Sequence, residues 1–538
     1  MTSPKKHSHS TPKANLRQTL AYALCSAING GLVGVTGPSL HALGDATGLG
    51  QAALGRVVLI NRICKLVGTF AWTGYAKWVA EKRAPIPPYV LMAVCSATIV
   101  LCAASIATYR ESSLVLQVAL AISGAAYGFS DSAIVRTSRT LMRSQPSTLT
   151  RTRLLTIRDH TAAQTLLTIW ANRHPAQQRF HIAILNVGFT LGALSMPAVI
   201  AAALSLGLDC YVGFWALSLL GLISSCTLLG MRRAPAALPM PQPNLGASAV
   251  AAVPAGSNGR RGLTDVVMIS CMAAVLFCVT GSEHAVATWL PTYGRHVGSL
   301  GSGELALMSA GFWAMICTGR VIWAAVAGAL SSGFPALMAD GVLMLVSAAL
   351  IADFAMGKVP GGGGGLGGGG LPSGSALLWL GTLGLGFGCS SSLPCAITLP
   401  SEARVELTPV RLLALNLSGS AGEPAFDDST NRPAHTRIVA ASHTLPPPLM
   451  LTHHRVRHAR PRAGEMLLPY LIGLRFERGR YNSLGLSLVG LEAAVVGCTL
   501  AAWRITARAR AAEVEPPAEE EHVLLEQQEG GTTSGGGR

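Results

Sequence analysis

Apolar and polar positions along this chain fall into long blocks rather than the short alternation of strands or the stripe of a surface helix. Uncharged runs from Gln18 to Gly44, Ala84 to Tyr109, Ser112 to Ser130, Phe180 to Leu208 and Cys210 to Met231 are each near or above the ~20 residues that carry a helix across a bilayer. Run length and the polar breaks between runs predict spans near 19–41, 55–76, 87–108, 113–135, 181–204 and 210–231. A Pro, Ala and Gly-rich linker over 232–263 follows, then spans near 265–291, 304–329, 334–356, 376–398 and 482–503. Between the last two lies "GEMLLPYLIGLRF", whose uncharged core is too short to cross at 1.5 Å per residue. The predicted class is an all-α, multi-pass membrane protein whose eleventh span is interrupted.

Lysine and arginine placement orients the spans. Lys5, Lys6, Lys13 and Arg17 precede the first span, Lys77, Lys82 and Arg83 follow the second, and Arg232, Arg233, Arg260 and Arg261 lie in the linker. The alternate loops carry little besides Arg110, Arg295 and Lys358. Arg504, Arg508 and Arg510 put the C-terminus on the side of the N-terminus, which requires an even number of crossings, and twelve fits. Both termini are therefore expected in the cytoplasm, with residues 1–18 an N-terminal arm and 504–538 a disordered tail. That tail holds a dileucine-like "EEEHVLL", a match too short to carry a sorting role, so a solvated tail is the preferred reading. The plasma membrane and an endolysosomal or vacuolar membrane remain open.

Composition agrees: 50% of the 538 residues are hydrophobic and 12% charged, against roughly 25% in soluble domains. The cysteines fall mostly singly in apolar runs, so they imply neither disulfides nor a metal site. The net charge of +15 is the odd feature.

Six spans, a cytoplasmic linker and six more is a layout that resembles the major facilitator superfamily. "GTFAWTGYAKWVAEKR" after the second span resembles that superfamily's loop signature in Gly68, Gly74, Lys82 and Arg83, but has Trp78 where the acidic residue belongs. "GSEHAVATWLPTYG", "FWAMICTGRVIW" and "GEMLLPYLIGLRF" are similar to the branch holding sodium-dependent glucose transporter-like proteins and fucose:proton symporters. The resemblance implies two six-helix bundles, 19–231 and 264–503, around a midplane solute site.

Two segments depart from it. Residues 134–162 hold six arginines against Asp159, a net +5, and residues 423–464 hold six arginines against Glu423, Asp427 and Asp428, a net +3. More than half of the net charge is thus theirs. Without the second segment, Gly422 meets Glu465 and an uncharged eleventh span is restored, broken only by one glutamate. Both segments read as insertions, either retained intron sequence or cytoplasmic loops of this lineage.

A carrier needs polar groups in its spans, where an isolated charge costs roughly 2.5–3.5 kcal/mol on insertion scales. Asp131 in "GAAYGFSDSA" matches an acidic position that the resemblance reads as a proton site, and otherwise is a helix-end acid. Glu283 is expected to face a cavity and to serve both solute and ion, while His284 packs. Trp289 reads as a sugar-stacking or an interfacial belt residue. Arg320 is expected to contact solute or to pair with Glu283 or Glu465. Arg62 and Lys65, four apart and hence on one helical face, attract anions at the entrance or snorkel. Asn29 and Asn186 suit hydroxyl-rich ligands or interhelical bonds, and the Gly124/Gly128 and Gly384/Gly388 pairs let helices approach.

The expected function is secondary transport of a small polar solute, most plausibly a sugar, by alternating access, with proton or sodium coupling left open. No cofactor, metal or nucleic-acid partner is expected, and the carrier is expected to act as a monomer in the bilayer. An enzyme is disfavoured by the absence of HExxH, GxSG-type or paired-aspartate motifs within spans. The rival reading is a transport-dead or aberrantly spliced relative.

Overall fold

A computed structural model describes residues 12–82, 88–143, 175–231, 258–298, 300–326, 332–356, 374–403, 405, 415 and 463–514. Twelve helices account for nearly all of them: α1 (Pro12–Thr47), α2 (Gln51–Lys82), α3 (Pro88–Thr108), α4 (Ser113–Arg143), α5 (Pro175–Ser205), α6 (Val212–Gly230), α7 (Asn258–Gly298), α8 (Ser302–Val326), α9 (Phe334–Met356), α10 (Gly374–Glu402), α11 (Ala463–Glu477) and α12 (Ser483–Val514). Ten of these are long and apolar enough to cross a membrane. The other two are α2, which carries Arg56, Arg62 and Lys65 along its apolar stretch, and α11. At 15 residues α11 spans roughly 22 Å, short of the ~30 Å hydrocarbon layer.

Several helices outrun their expected bounds. α1 begins inside the expected arm, α7 inside the expected linker, and α12 continues to Val514, beyond the 503 expected as its end. α4 continues to Arg143, into the first doubtful segment, whose remainder lies outside the described residues, as does the second segment up to 462. The dileucine-like tail also lies outside them.

The first six helices pack on one another through α1 with α5, α2 with α4 and α3 with α6; the last six do so through α9 with α10 and α12, and α7 with α11 and α12. Glycines set the closest crossings. A methyl on Gly30 or Gly34 of α1 would overlap the Phe189 or Ala193 carbonyl of α5, and one on Gly128 of α4 would overlap the Lys65 carbonyl of α2. Gly124 stands likewise against Asn61, and Gly384 and Gly388 of α10 against Ser347 and Met344 of α9, so both glycine pairs expected to bring helices together do so. Leu101, Leu114, Val118, Trp215, Leu219 and Leu222 point outward, the oily exterior that lipid would solvate. All twelve cysteines are free.

The turns joining α1 to α2, α7 to α8 and α11 to α12 gather at one end of the molecule. There, His41 of α1 stacks 6.1 Å from His296 of α7, which stacks 4.2 Å from Tyr481. The start of α1 at Pro12 and the end of α12 at Val514 lie toward the opposite end.

Candidate functional site

The crossing of α2 and α4 decides what the first half presents to the second. Asn61 Nδ2 donates to the Leu120 carbonyl at 2.6 Å, and Thr69 Oγ1 donates to the Gly128 carbonyl at 3.3 Å. With its backbone held there, α2 turns Arg62 and Lys65 toward α7 and α11. Both are buried, at 5% and 3% exposure, so neither snorkels and neither stands at an open entrance.

Their partner is Glu465, in the first turn of α11 and 1% exposed. Arg62 Nη1 donates to Glu465 Oε1 at 2.7 Å and Lys65 Nζ to the same oxygen at 2.9 Å. Lys65 Nζ also lies 4.1 Å from the centre of the Tyr127 ring, a cation–π contact that anchors it on α4. His284 completes the cluster, with Nε2 3.1 Å from Glu465 Oε1 and Nδ1 3.2 Å from Arg62 Nη2. A guanidinium can only donate, so Nδ1 accepts and Nε2 carries the hydrogen that reaches Glu465. The imidazole in this arrangement is neutral, and Arg62, Lys65 and Glu465 together carry a net +1.

Glu283, one residue before His284, is 9% exposed and feels Arg320, Lys65 and Arg62 as attracting charges and Glu465 as a repelling one. Arg320 on α8 is half-buried. It forms no ion pair with Glu283 or Glu465 among the described residues, although Glu283 lies within its field. The expected pairing of Arg320 with Glu465 is therefore corrected: Arg62 and Lys65 from the other half take that carboxylate. Physically, α11 packs on α2 and α7, so Glu465 reaches the α2 cations rather than α8.

Trp289 is fully enclosed. Its indole N–H donates to the Pro469 carbonyl at 2.7 Å, and its ring meets Phe476 edge-on at 5.4 Å and packs over Gly473. In this conformation it ties α7 to α11 and lies neither in a membrane-surface belt nor open to a sugar. Asn29 is buried, and its Oδ1 accepts from Ser130 Oγ at 3.2 Å, while its Nδ2 has no partner among the described residues. Asp131, beside Ser130, is half-buried near Cys25 of α1 and forms no hydrogen bond or ion pair among the described residues. Asn186 is exposed on α5 and joins neither group.

Among the described residues, several contacts between the halves lie toward the end where the α1–α2, α7–α8 and α11–α12 turns gather. Besides the His41–His296 stack, Ala52 N–H in the first turn of α2 donates to Glu477 Oε2 of α11 at 2.9 Å, and Gly37 sits against the Ala287 carbonyl. Deeper in, Phe189 of α5 meets Trp313 of α8 at 6.1 Å. Two acids that sequence reasoning passed over lie in the second half: Asp340 on α9, half-buried and bonded to Ser391 and Ser392 of α10, and Glu492 on α12, fully buried. Each is an isolated carboxylate in an apolar run, the signal that singled out Glu283.

No family model matches the chain, and no curated protein matches it in sequence. Solved structures match it in shape. The nucleoside transporter NupG aligns with a TM-score of 0.51 at 12% identity over 91% of this chain and 99% of its own, and a point mutant of it aligns at 0.53 with the same identity and coverage. A bacterial homolog of the human lysosomal transporter Spinster, in an inward-facing and occupied conformation, aligns with a TM-score of 0.50 at 14% identity over 95% and 100%. At such identities the likeness is one of fold. The chain has the all-helical fold of these membrane transporters, and these neighbours are transporters rather than enzymes.

Proposed function

We propose that this protein is a secondary transporter of a small polar solute, a sugar or a compound of similar hydroxyl-rich chemistry, working by alternating access between its two halves. The observation that supports it is the buried Arg62, Lys65, His284 and Glu465 cluster, a polar contact between the halves that stands beside apolar ones such as Phe189 with Trp313. A permanent interface would be served as well by apolar packing, because buried ion pairs return little net stability over it. A polar joint between two bundles instead has an alternative partner in water, so it opens when one bundle rocks against the other. With both termini cytoplasmic, the joined end faces outward and the conformation is inward-open.

Glu283 and Arg320, opposed in charge but not in contact, are the proposed solute-binding pair, with Asn29 contributing its unpartnered amide. Trp289 and Asn186 take part only in another conformation. Proton or sodium coupling acts through Asp131 or Glu283.

The test is uptake of labelled hexose, and separately of labelled nucleoside, into proteoliposomes with and without a pH or sodium gradient. Hexose accumulation is expected, with Glu283→Gln lowering uptake about tenfold or more, the worth of a charge-assisted hydrogen bond of ~1.5–3 kcal/mol. Asp131→Asn is expected to abolish gradient-driven accumulation. Nucleoside uptake in place of hexose would overturn the sugar reading, and uptake of neither would overturn transport of this solute class.

A further inference from the structure

Glu492 stands in the interior of the second half, on α12, completely enclosed. Neither of its carboxyl oxygens has a hydrogen-bond partner among the described residues. The Ser282 hydroxyl of α7 is its polar neighbour, and among the described residues that hydroxyl has no other partner. The titratable groups around it are thiols and acids. Cys278 of α7 and Cys389 of α10 are its thiol neighbours. Cys389 also feels Asp340 of α9 and Glu283 of α7, and Cys498 lies further along α12. Glu465 of α11 is engaged with Arg62 and Lys65. Arg320 acts on Glu283 and Cys389, and among the described residues no lysine or arginine acts on Glu492.

An ionised carboxylate in such a place would lack donor, cation and water at once, which is why buried carboxylates are paired or neutral. A hydrocarbon side chain would fill the same volume without leaving polar atoms unsatisfied, so the acid is a cost to packing. Its position supplies a use. Ser282, beside Glu492, directly precedes Glu283, so one turn of α7 links the enclosed carboxyl to the charged groups at the junction of the halves.

We propose that Glu492, with Ser282, is a proton-binding site: its carboxyl holds a proton in the conformation seen and releases it, to Glu283 or to water, when α7 shifts against α12. The O–H bond of the acid breaks, its electron pair stays on the carboxylate, and the proton passes to the accepting oxygen. The proposal rests on the transport reading and adds a site to Asp131 and Glu283.

The test uses the full chain in lipid nanodiscs and infrared difference spectroscopy on H2O/D2O exchange at neutral pH. A protonated-carboxyl band is expected that persists in Glu283→Gln and Asp340→Asn and disappears in Glu492→Gln. A band unchanged in Glu492→Gln would overturn the proposal. In proteoliposomes, Glu492→Gln is expected to lose the stimulation of uptake by an imposed pH gradient; stimulation equal to wild type would overturn the coupling role. Failure of the wild type to move any solute, with the band still assigned to Glu492, would sink the transport reading and leave the proton site standing.

Discussion

The two halves bury charge of opposite sign. Among the described residues, the buried charged side chains of α1–α6 are Arg62 and Lys65, while those of α7–α12 are Glu283, Glu465 and Glu492, with His284 beside them. One bundle offers donors that cannot accept, the other acceptors, and where they meet a single carboxylate oxygen receives Arg62, Lys65 and His284. Arg62 and Lys65 thus find the carboxylate they share in the other half. What the difference teaches is that the buried cations of one half and the buried carboxylate of the other are complements across a joint.

The sharpest way to break this comparison is to remove the shared acceptor. Glu465→Gln takes from the buried Arg62 and Lys65 the carboxylate they share, and loss of one partner from a buried ion pair costs about 3–5 kcal/mol. Thermal unfolding of the purified protein in detergent should show the largest drop of any single change considered. Replacing Lys65 by Met in the same chain should recover part of it, since one of the two stranded cations is then gone. A Glu465→Gln protein within about 1 kcal/mol of wild type would mean that the charges are satisfied within their own halves after all.

Much of this was legible in the sequence, and the remainder was hidden for physical reasons. Span positions, the shortened eleventh helix and the two glycine pairs follow from local composition, because a bilayer imposes length and a close crossing imposes small residues. That Arg62 and Lys65 share a face follows from their spacing. Their partner lies 403 and 400 residues away in sequence, and nothing local to α2 points to it. Trp289 misled for the same reason: an indole near a helix end suits a membrane surface or a sugar equally well, and only the Pro469 carbonyl of a distant helix settles its hydrogen bond. One long-range feature was legible and unexploited. The triplet Ala-Gly-Glu stands at both edges of the second doubtful segment, so a chain lacking that segment still places a glutamate before "MLLPY". The acid of the joint is encoded with or without the insertion.

A smaller effect sharpens how the first half aims its cations. Gly128→Ala sets a methyl against the Lys65 carbonyl, so α2 must move off α4 and carry Lys65 with it. Overpacking of this kind costs about 1–3 kcal/mol. Gly490→Ala in α12, where a methyl meets open space, serves as the contrast and should be neutral or stabilising by up to about 1 kcal/mol through helix propensity. Equal unfolding temperatures for the two variants would mean that the α2–α4 crossing adapts freely and does not fix the cluster.

The smallest effect concerns the edge of the joint. Glu477 reaches from the second half to the N-terminus of α2, where the Ala52 N–H donates to it in a setting exposed to solvent. A carboxylate at a helix N-terminus is worth about 0.3–1 kcal/mol when exposed, and salt weakens it. Glu477→Gln therefore should scarcely change folding but should raise the ratio of separated to joined molecules at this end by up to about fivefold, since both states remain folded and only one keeps the contact. Distances between spin labels on Asp45→Cys and Arg478→Cys, one in each half and both at exposed positions, read that ratio directly. The rise should shrink as salt is added to the wild type, because screening weakens the contact that the substitution removes. An unchanged distance distribution at low salt would show that the enclosed Arg62, Lys65, His284 and Glu465 cluster holds the halves together without help from the rim.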